Sequence, residues 1–477
     1  MAQESETLDR LARADARGLF GRIARGLASQ LTLLSASILR NLLIVPFFIS
    51  AHGVAGFADW VKLLAAAGIA SLVTCGQSLY YGYQIRTCRA ARDHAGMNRA
   101  LADGNAFFLR LGVGVSLVLV LAPVLIDPNA LLNLGVLSPT EAHLTFAALV
   151  ISLVGQQYRE MLRAVYIAHG ELMRNDLAMA LANIALGGLV IAVLLLGGAI
   201  ATVALLHALV IPGAVCAAAF LDFRRYAEVA PGVTWRGADF GRTRLRSLVA
   251  HSVPQVTERI LLNGPTVALG VVGVAPASVV QFNLLRTAAR LMRGGRFAMV
   301  FSVEMTRQRT QRDARGFRRL HRRGALVMGL FGGGMAGGML ALWDLFLPFW
   351  TNGAMTADTT LLALMVAEMA VVAFGMHSAT LLRFGGRIGD LARAQSAGAV
   401  FFLAVAVPAL VFGGLYAMLG VMVLGAALFA YLAPAWYAHR QLDAPLLAGL
   451  GGPPASGLTA GLAAYGLAMA GRGLLGL

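Results

Sequence analysis

The chain has 477 residues, of which 58% are hydrophobic and only 13% charged, with a mean hydropathy of +0.72. Those values exclude a soluble globular protein, and the formal charge of +16 is then no argument for nucleic acid. Apolar stretches of about 20 residues recur along nearly the whole length, each able to cross a hydrocarbon core of roughly 30 Å as a helix. The expected fold class is an all-α integral membrane protein.

Residues 1–22 form a basic tail in which Leu8, Leu11, Leu19, Phe20 and Ile23 interleave with Arg10, Arg13, Arg17 and Arg22. Two readings stay open, a short amphipathic helix on the anionic inner leaflet and an unstructured topogenic tail. The tail lacks an apolar core followed by a cleavage site, so no cleavable signal is expected before the first span.

Twelve spans are predicted, at 23–50, 57–82, 104–126, 142–165, 177–197, 200–221, 247–272, 278–302, 324–343, 358–381, 395–413 and 419–438. Their connections sort by charge. Arginines crowd the two tails and the even-numbered connections, including Arg89, Arg92 and Arg99, Arg224 and Arg225, and the run from Arg307 to Arg323. The alternate connections at 51–56, 127–141, 197–200, 273–277, 343–357 and 414–419 contain no Lys or Arg. The positive-inside rule therefore places both ends of the twelve-span core in the cytoplasm of an inner-membrane protein. Residues 441–477 are a tail or one further helix, and the sequence does not decide between them.

The basic connection at 223–246 separates an N-terminal six-helix half at 23–222 from a C-terminal half at 247–440. Internal matches support this division. Gly53-Val54-Ala55 recurs as Gly273-Val274-Ala275, and Leu162-Arg163 as Leu382-Arg383, both offset by 220 positions. Gly170-Glu171-Leu172 recurs as Gly389-Asp390-Leu391, slipping to 219. An even number of spans per half gives a parallel repeat about an axis normal to the membrane, and two such bundles around a central cavity can rock between inward-open and outward-open states. Pro46, Pro254 and Pro265 fall in spans one and seven, the first of each half, either as points of movement or as static kinks.

Nothing in the sequence carries a catalytic, metal-ligand or cofactor motif, and Cys75, Cys88 and Cys216 read as small apolar residues. The informative residues are charges inside spans: Arg40 in span one, Asp59 and Lys62 near the outer end of span two, Glu258 in span seven, Glu368 in span ten, and Arg286, Arg290 and Arg293 in span eight. The last three recur at i, i+4 and i+7, so they share one helix face. A cation near the bilayer centre costs at least ~3 kcal/mol on insertion scales, and is tolerated where it lines an aqueous cavity or meets an anion. Structural pairing with carboxylates such as Glu258 is the alternative. Guanidinium forks suit oxygen-rich phosphates, which points to an amphiphile with a pyrophosphate head.

The pattern over residues 20–440 resembles the polysaccharide-exporting branch of the multidrug/oligosaccharidyl-lipid/polysaccharide exporter superfamily, with the lipid II flippase as a more distant relative. Local matches are Phe349-Trp350-Thr351-Asn352-Gly353 after span nine and the Gly170 and Gly389 turns. Arg40, Asp59 and Arg290 resemble, respectively, a cavity arginine of the first helix, an acid opening the second, and an arginine of the eighth in the lipid II flippase. That family continues span two with further arginines, whereas Leu63 to Val73 carries no charge here, which favours another glycan than lipid II.

The resemblance implies a flippase, and no enzyme, that moves a polyprenyl-pyrophosphate-linked oligosaccharide repeat unit from the inner to the outer leaflet for surface polysaccharide or O-antigen synthesis. Arg40, Arg286 and Arg290 would hold the head and Asp59 and Lys62 would tune or gate the outer mouth, with Arg293 and Glu258 as further substrate-binding residues. Membrane lipids, a polysaccharide polymerase and export machinery are the implied partners; no cofactor and no nucleic acid are expected. One rival is a cation-coupled multidrug antiporter of the same superfamily, which needs a buried acid where span one offers Arg40. A membrane glycosyltransferase or polymerase is the other, and the short outer connections speak against it.

Overall fold

The computed structural model describes residues 2–74, 76–125, 127–230, 232, 242–292, 314–384, 387–442 and 452–475, and every regular element among them is a helix. α1 (Ala2–Ala70) holds spans one and two, because the chain reverses at Gly53 (φ 72°, ψ 177°). This backbone region is nearly closed to residues with a Cβ. The basic tail is helical from Ala2 and continuous with span one, while its side chains up to residue 27 lie outside the described residues. Span two breaks at a 3₁₀ turn (Ser71–Thr74) and resumes as α2 (Gln77–Ala90).

α3 (His94–Leu125), a short outer helix α4 (Pro128–Leu132), α5 (Pro139–Ala168), α6 (Leu172–Leu195) and α7 (Ile200–Phe223) complete the first set. The second set comprises α8 (Arg242–Val272), α9 (Pro276–Met292), α10 (Ala314–Trp350) and α11 (Thr359–Phe384). It continues with α12 (Ile388–Phe401), a π-helical stretch, α13 (Val407–Gly425), a second π-helical stretch and α14 (Ala433–Leu442). α13 reverses at Gly414 (φ 74°, ψ −172°), so this run also contains two spans. Six described segments satisfy length and hydropathy criteria for crossing, and two of them, 31–70 and 388–442, contain such reversals.

Several turn features recur at offsets of 219 or 220 residues. Gly53 and Gly273 both take positive φ, 72° and 77°, in equivalent outer turns. Asn133 and Asn352 are left-handed at φ 48° and 52°, each in the turn leading into the fourth helix of its set. Ser138 and Asp358 cap those helices by accepting from the Glu141 and Leu361 backbone N–H groups. Glu171–Arg174 and Asp390–Arg393 form matching i,i+3 ion pairs.

The two sets share one apolar core, in which Phe48, Leu63 and Leu186 of the first meet Phe282, Leu285 and Met365 of the second. They also join along span two and α8, which run antiparallel. From the outer end inwards, the Lys62 stem lies against Gly270, Gly68 faces the Asn263 amide, Arg259 Nη1 donates to Ser71 Oγ at 2.9 Å, and the Gly76 N–H donates to Gln255 Oε1 at 2.8 Å. Gly76 is obligatory there: its φ is 87°, and a Cβ would stand 2.8 Å from the Ser252 main chain.

The C-terminal segment left open by the sequence is α15 (Gly452–Leu475). It lies beside α10 in the same direction, from the Pro453–Gly329 contact to the ion pair of Arg472 with Asp344 at 3.1 Å. Glycines allow the approach, since a Cβ on Gly333 would fall 1.8 Å from the Gly457 carbonyl oxygen and one on Gly337 2.0 Å from that of Gly461.

Candidate functional site

Arg40 projects from span one toward α6. Its Nη1 donates to Asn183 Oδ1 at 2.6 Å and its Nη2 to Asn41 Oδ1 at 3.1 Å. The Asn183 amide is oriented by its own Nδ2, which donates to the Met179 carbonyl at 2.7 Å and so turns Oδ1 toward the guanidinium. Gly187, one turn further along α6, leaves room for the arginine stem: a Cβ there would approach Arg40 Cγ to 3.3 Å. Arg40 is partly buried, and among the described residues no carboxylate pairs with it. Amide oxygens thus hold the cation in place without neutralising it, and its positive charge remains available to an anion.

Arg286 has a different setting. It is buried to 5% exposure, its Nη2 donates to the Leu261 carbonyl at 2.6 Å, and its guanidinium lies 5.1 Å from the Phe282 ring centre. Leu261 is four residues before Pro265, so its carbonyl has no helical N–H to accept from. The arginine supplies the missing donor. The side chain of Arg290 and the whole of Arg293 lie outside the described residues.

Asp59 and Lys62 are almost fully buried, at 1% and 2% exposure. The Asp59 carboxylate accepts from the Gly135 N–H at 3.0 Å and the Val136 N–H at 2.8 Å. Lys62 Nζ donates to the Asn133 carbonyl at 2.8 Å and stands 3.9 Å from Asp59 Oδ1. These two residues therefore hold the turn before α5. Glu258 is exposed midway along α8 and has no ionic or hydrogen-bonding partner among the described residues. Cys88 and Cys216 are half-buried free thiols, and Cys75 lies outside the described residues. The site residues thus fall into separate places: a cation between spans one and five, a proline-satisfying arginine between spans seven and eight, and an outer turn clamp. Sequence reasoning misses Asn183, Asn41 and Asn133, although for the first two an asparagine inside an apolar span is itself a signal of an internal partner.

No family model and no curated relative matches the sequence. Solved structures do. An inward-facing multidrug resistance transporter of the MATE family, MOP superfamily, is 14% identical over 87% of this chain and 98% of its own, with a TM-score of 0.63. The chain shares its fold with this transporter. An outward-facing MATE structure matches at 16% identity, 88% and 95% coverage and a TM-score of 0.58. A Pyrococcus furiosus MOP-superfamily transporter, whose binding pocket of reverse polarity suggests a different function for it, matches at 16% identity, the same coverages and 0.63. The shared fold is all-α, and six of its described segments are long and apolar enough to cross a membrane.

Proposed function

We propose that this chain is an alternating-access transporter for a polyprenyl-pyrophosphate-linked oligosaccharide repeat unit, carried from the inner to the outer leaflet of the inner membrane for surface polysaccharide synthesis. The supporting observation is Arg40, a partly buried guanidinium held by the amides of Asn41 and Asn183 with no carboxylate beside it among the described residues. Phosphate oxygens match its donors in charge and in planar geometry. The membrane potential favours export of such a head, since moving about two negative charges out of a negative interior gains roughly 4 to 5 kcal/mol at 100 mV. This reading also assigns Arg290 and Arg293, which follow Arg286 at helical spacing in the sequence, to the head, while Arg286 itself keeps span seven in shape. The Pyrococcus furiosus transporter, whose binding pocket of reverse polarity suggests a different function for it, lends support to a reading other than multidrug efflux.

The test is reconstitution of the purified chain in vesicles with a fluorescent polyprenyl-pyrophosphate oligosaccharide, following its exposure to an external quencher. Wild type equilibrates the leaflets in this reading and Arg40→Ala does not; equal rates for the two remove the role of Arg40.

A second reading, a cation-coupled multidrug antiporter, is favoured by the MATE neighbours and by Glu258, an acid with no partner among the described residues. Dye efflux that follows an imposed proton or sodium gradient and is lost in Glu258→Gln would select it.

A further inference from the structure

We infer that the turns after spans three and nine are the two arms of an outer gate, which is shut in this structure. In the first arm, Asn133 of the first helix set places its Nδ2 3.0 Å from both the Gly270 and the Val271 carbonyl oxygens of the second set. These carbonyls belong to the last turn of α8, where helical donors run out; that of Gly270 also accepts from the Gly273 N–H at 3.0 Å. In the second arm, Trp350, the last residue of α10, donates its Nε1–H to the Leu42 carbonyl of span one at 2.9 Å. Leu42 is four residues before Pro46, so its carbonyl likewise has no helical donor. Each arm springs from the same place in its own set, beside the left-handed Asn133 or Asn352, and each reaches the first helix of the other set.

The chemistry suits a contact that must break. Both arms end on main-chain carbonyls, which water satisfies once the outer mouth opens, so parting them strands no buried acceptor. The charged components stay on one side: Lys62 keeps Asp59 and the Asn133 carbonyl within the first set, and only its aliphatic stem leaves Gly270. Among the described residues, the polar contacts of the two arms are neutral hydrogen bonds, so parting them breaks no ion pair.

The inference rests on the alternating-access part of the reading above and is independent of the substrate. It is tested on the full chain in lipid nanodiscs, with Cys75, Cys88 and Cys216 replaced by serine, by electron–electron distance measurements between spin labels. One pair, Thr140→Cys and Thr359→Cys, reports on the outer side; the other, Arg99→Cys and Arg322→Cys, on the inner side. Asn133→Ala and Trp350→Phe, separately and together, are expected to add a longer outer distance together with a shorter inner one. The Trp350→Phe ring preserves the packing against Trp343 and Phe346, which guards the fold. Outer and inner distances unchanged from the parent in all three variants overturn the gate. A longer outer distance without any inner change also overturns it, and contradicts alternating access itself.

Discussion

Arg286 donates to the Leu261 carbonyl, the one acceptor in α8 that Pro265 deprives of a helical partner. A buried acceptor left bare costs about 1–3 kcal/mol. Arg286→Ala is therefore expected to lower stability by that order, and the loss should shrink in a Pro265→Ala background, where the restored main-chain N–H can serve Leu261 instead. A double-mutant cycle of thermal unfolding in detergent checks this, and strictly additive losses would break the link between the two residues.

Asn183 holds Arg40 through its oxygen, so Asn183→Asp would supply the carboxylate that the guanidinium now lacks. The expected result is tenfold or greater weakening of binding to a polyprenyl-pyrophosphate probe, about 1.4 kcal/mol or more, with little change in stability. Asn183→Ala is expected to weaken binding less, because it loosens the cation without neutralising it. Tighter binding by the aspartate variant would speak for a cationic ligand.

Gly53 and Gly414 adopt backbone angles that residues with a Cβ reach only under strain of order 1–3 kcal/mol. Gly53→Ala and Gly414→Ala should each lower the unfolding temperature, although a Cβ meets no atom within 4 Å at either place. A control at Gly188, in helix and equally open, should be neutral or stabilising. Equal effects at all three positions would show that space, and not backbone angle, decides.

α15 lies along α10 over 24 residues, about 36 Å at 1.5 Å per residue. It is therefore expected to be a thirteenth crossing whose end emerges opposite the inner, arginine-rich end of α10. A cysteine at Leu475 should react with an impermeant maleimide from the outer side of intact spheroplasts; reaction only after lysis would place α15 differently. Gly333→Leu, driven into the Gly457 carbonyl, should detach the helix and raise its susceptibility to proteolysis.

Much of the architecture is legible in the sequence because it rests on local chemistry. Hydropathy marks the helices, and the Gly53 and Gly273 turns can be read as a repeat because only glycine tolerates such angles. The sequence leaves the C-terminal helix undecided since its Gly- and Ala-rich stretch is weakly apolar, and its place depends on backbone approach to α10. At the site, sequence singles out Arg40 and Arg286 alike as cations within spans. Their roles part only in three dimensions, where one meets an amide from a helix more than a hundred residues away and the other a carbonyl freed by a proline. Pro265 does announce a bare acceptor at Leu261, but nothing local names the donor. Lys62 and Asp59 are likewise visible as charges near an outer end, whereas the turn they hold is defined by main-chain groups that no residue type reveals.

The most direct measurement is the leaflet distribution of polyprenyl-pyrophosphate-linked glycan in cells lacking this protein, compared with cells carrying wild type or Arg40→Ala at equal membrane levels. The account predicts accumulation on the inner leaflet that wild type relieves and Arg40→Ala does not. A distribution indifferent to loss of the protein, or full relief by Arg40→Ala, would contradict it.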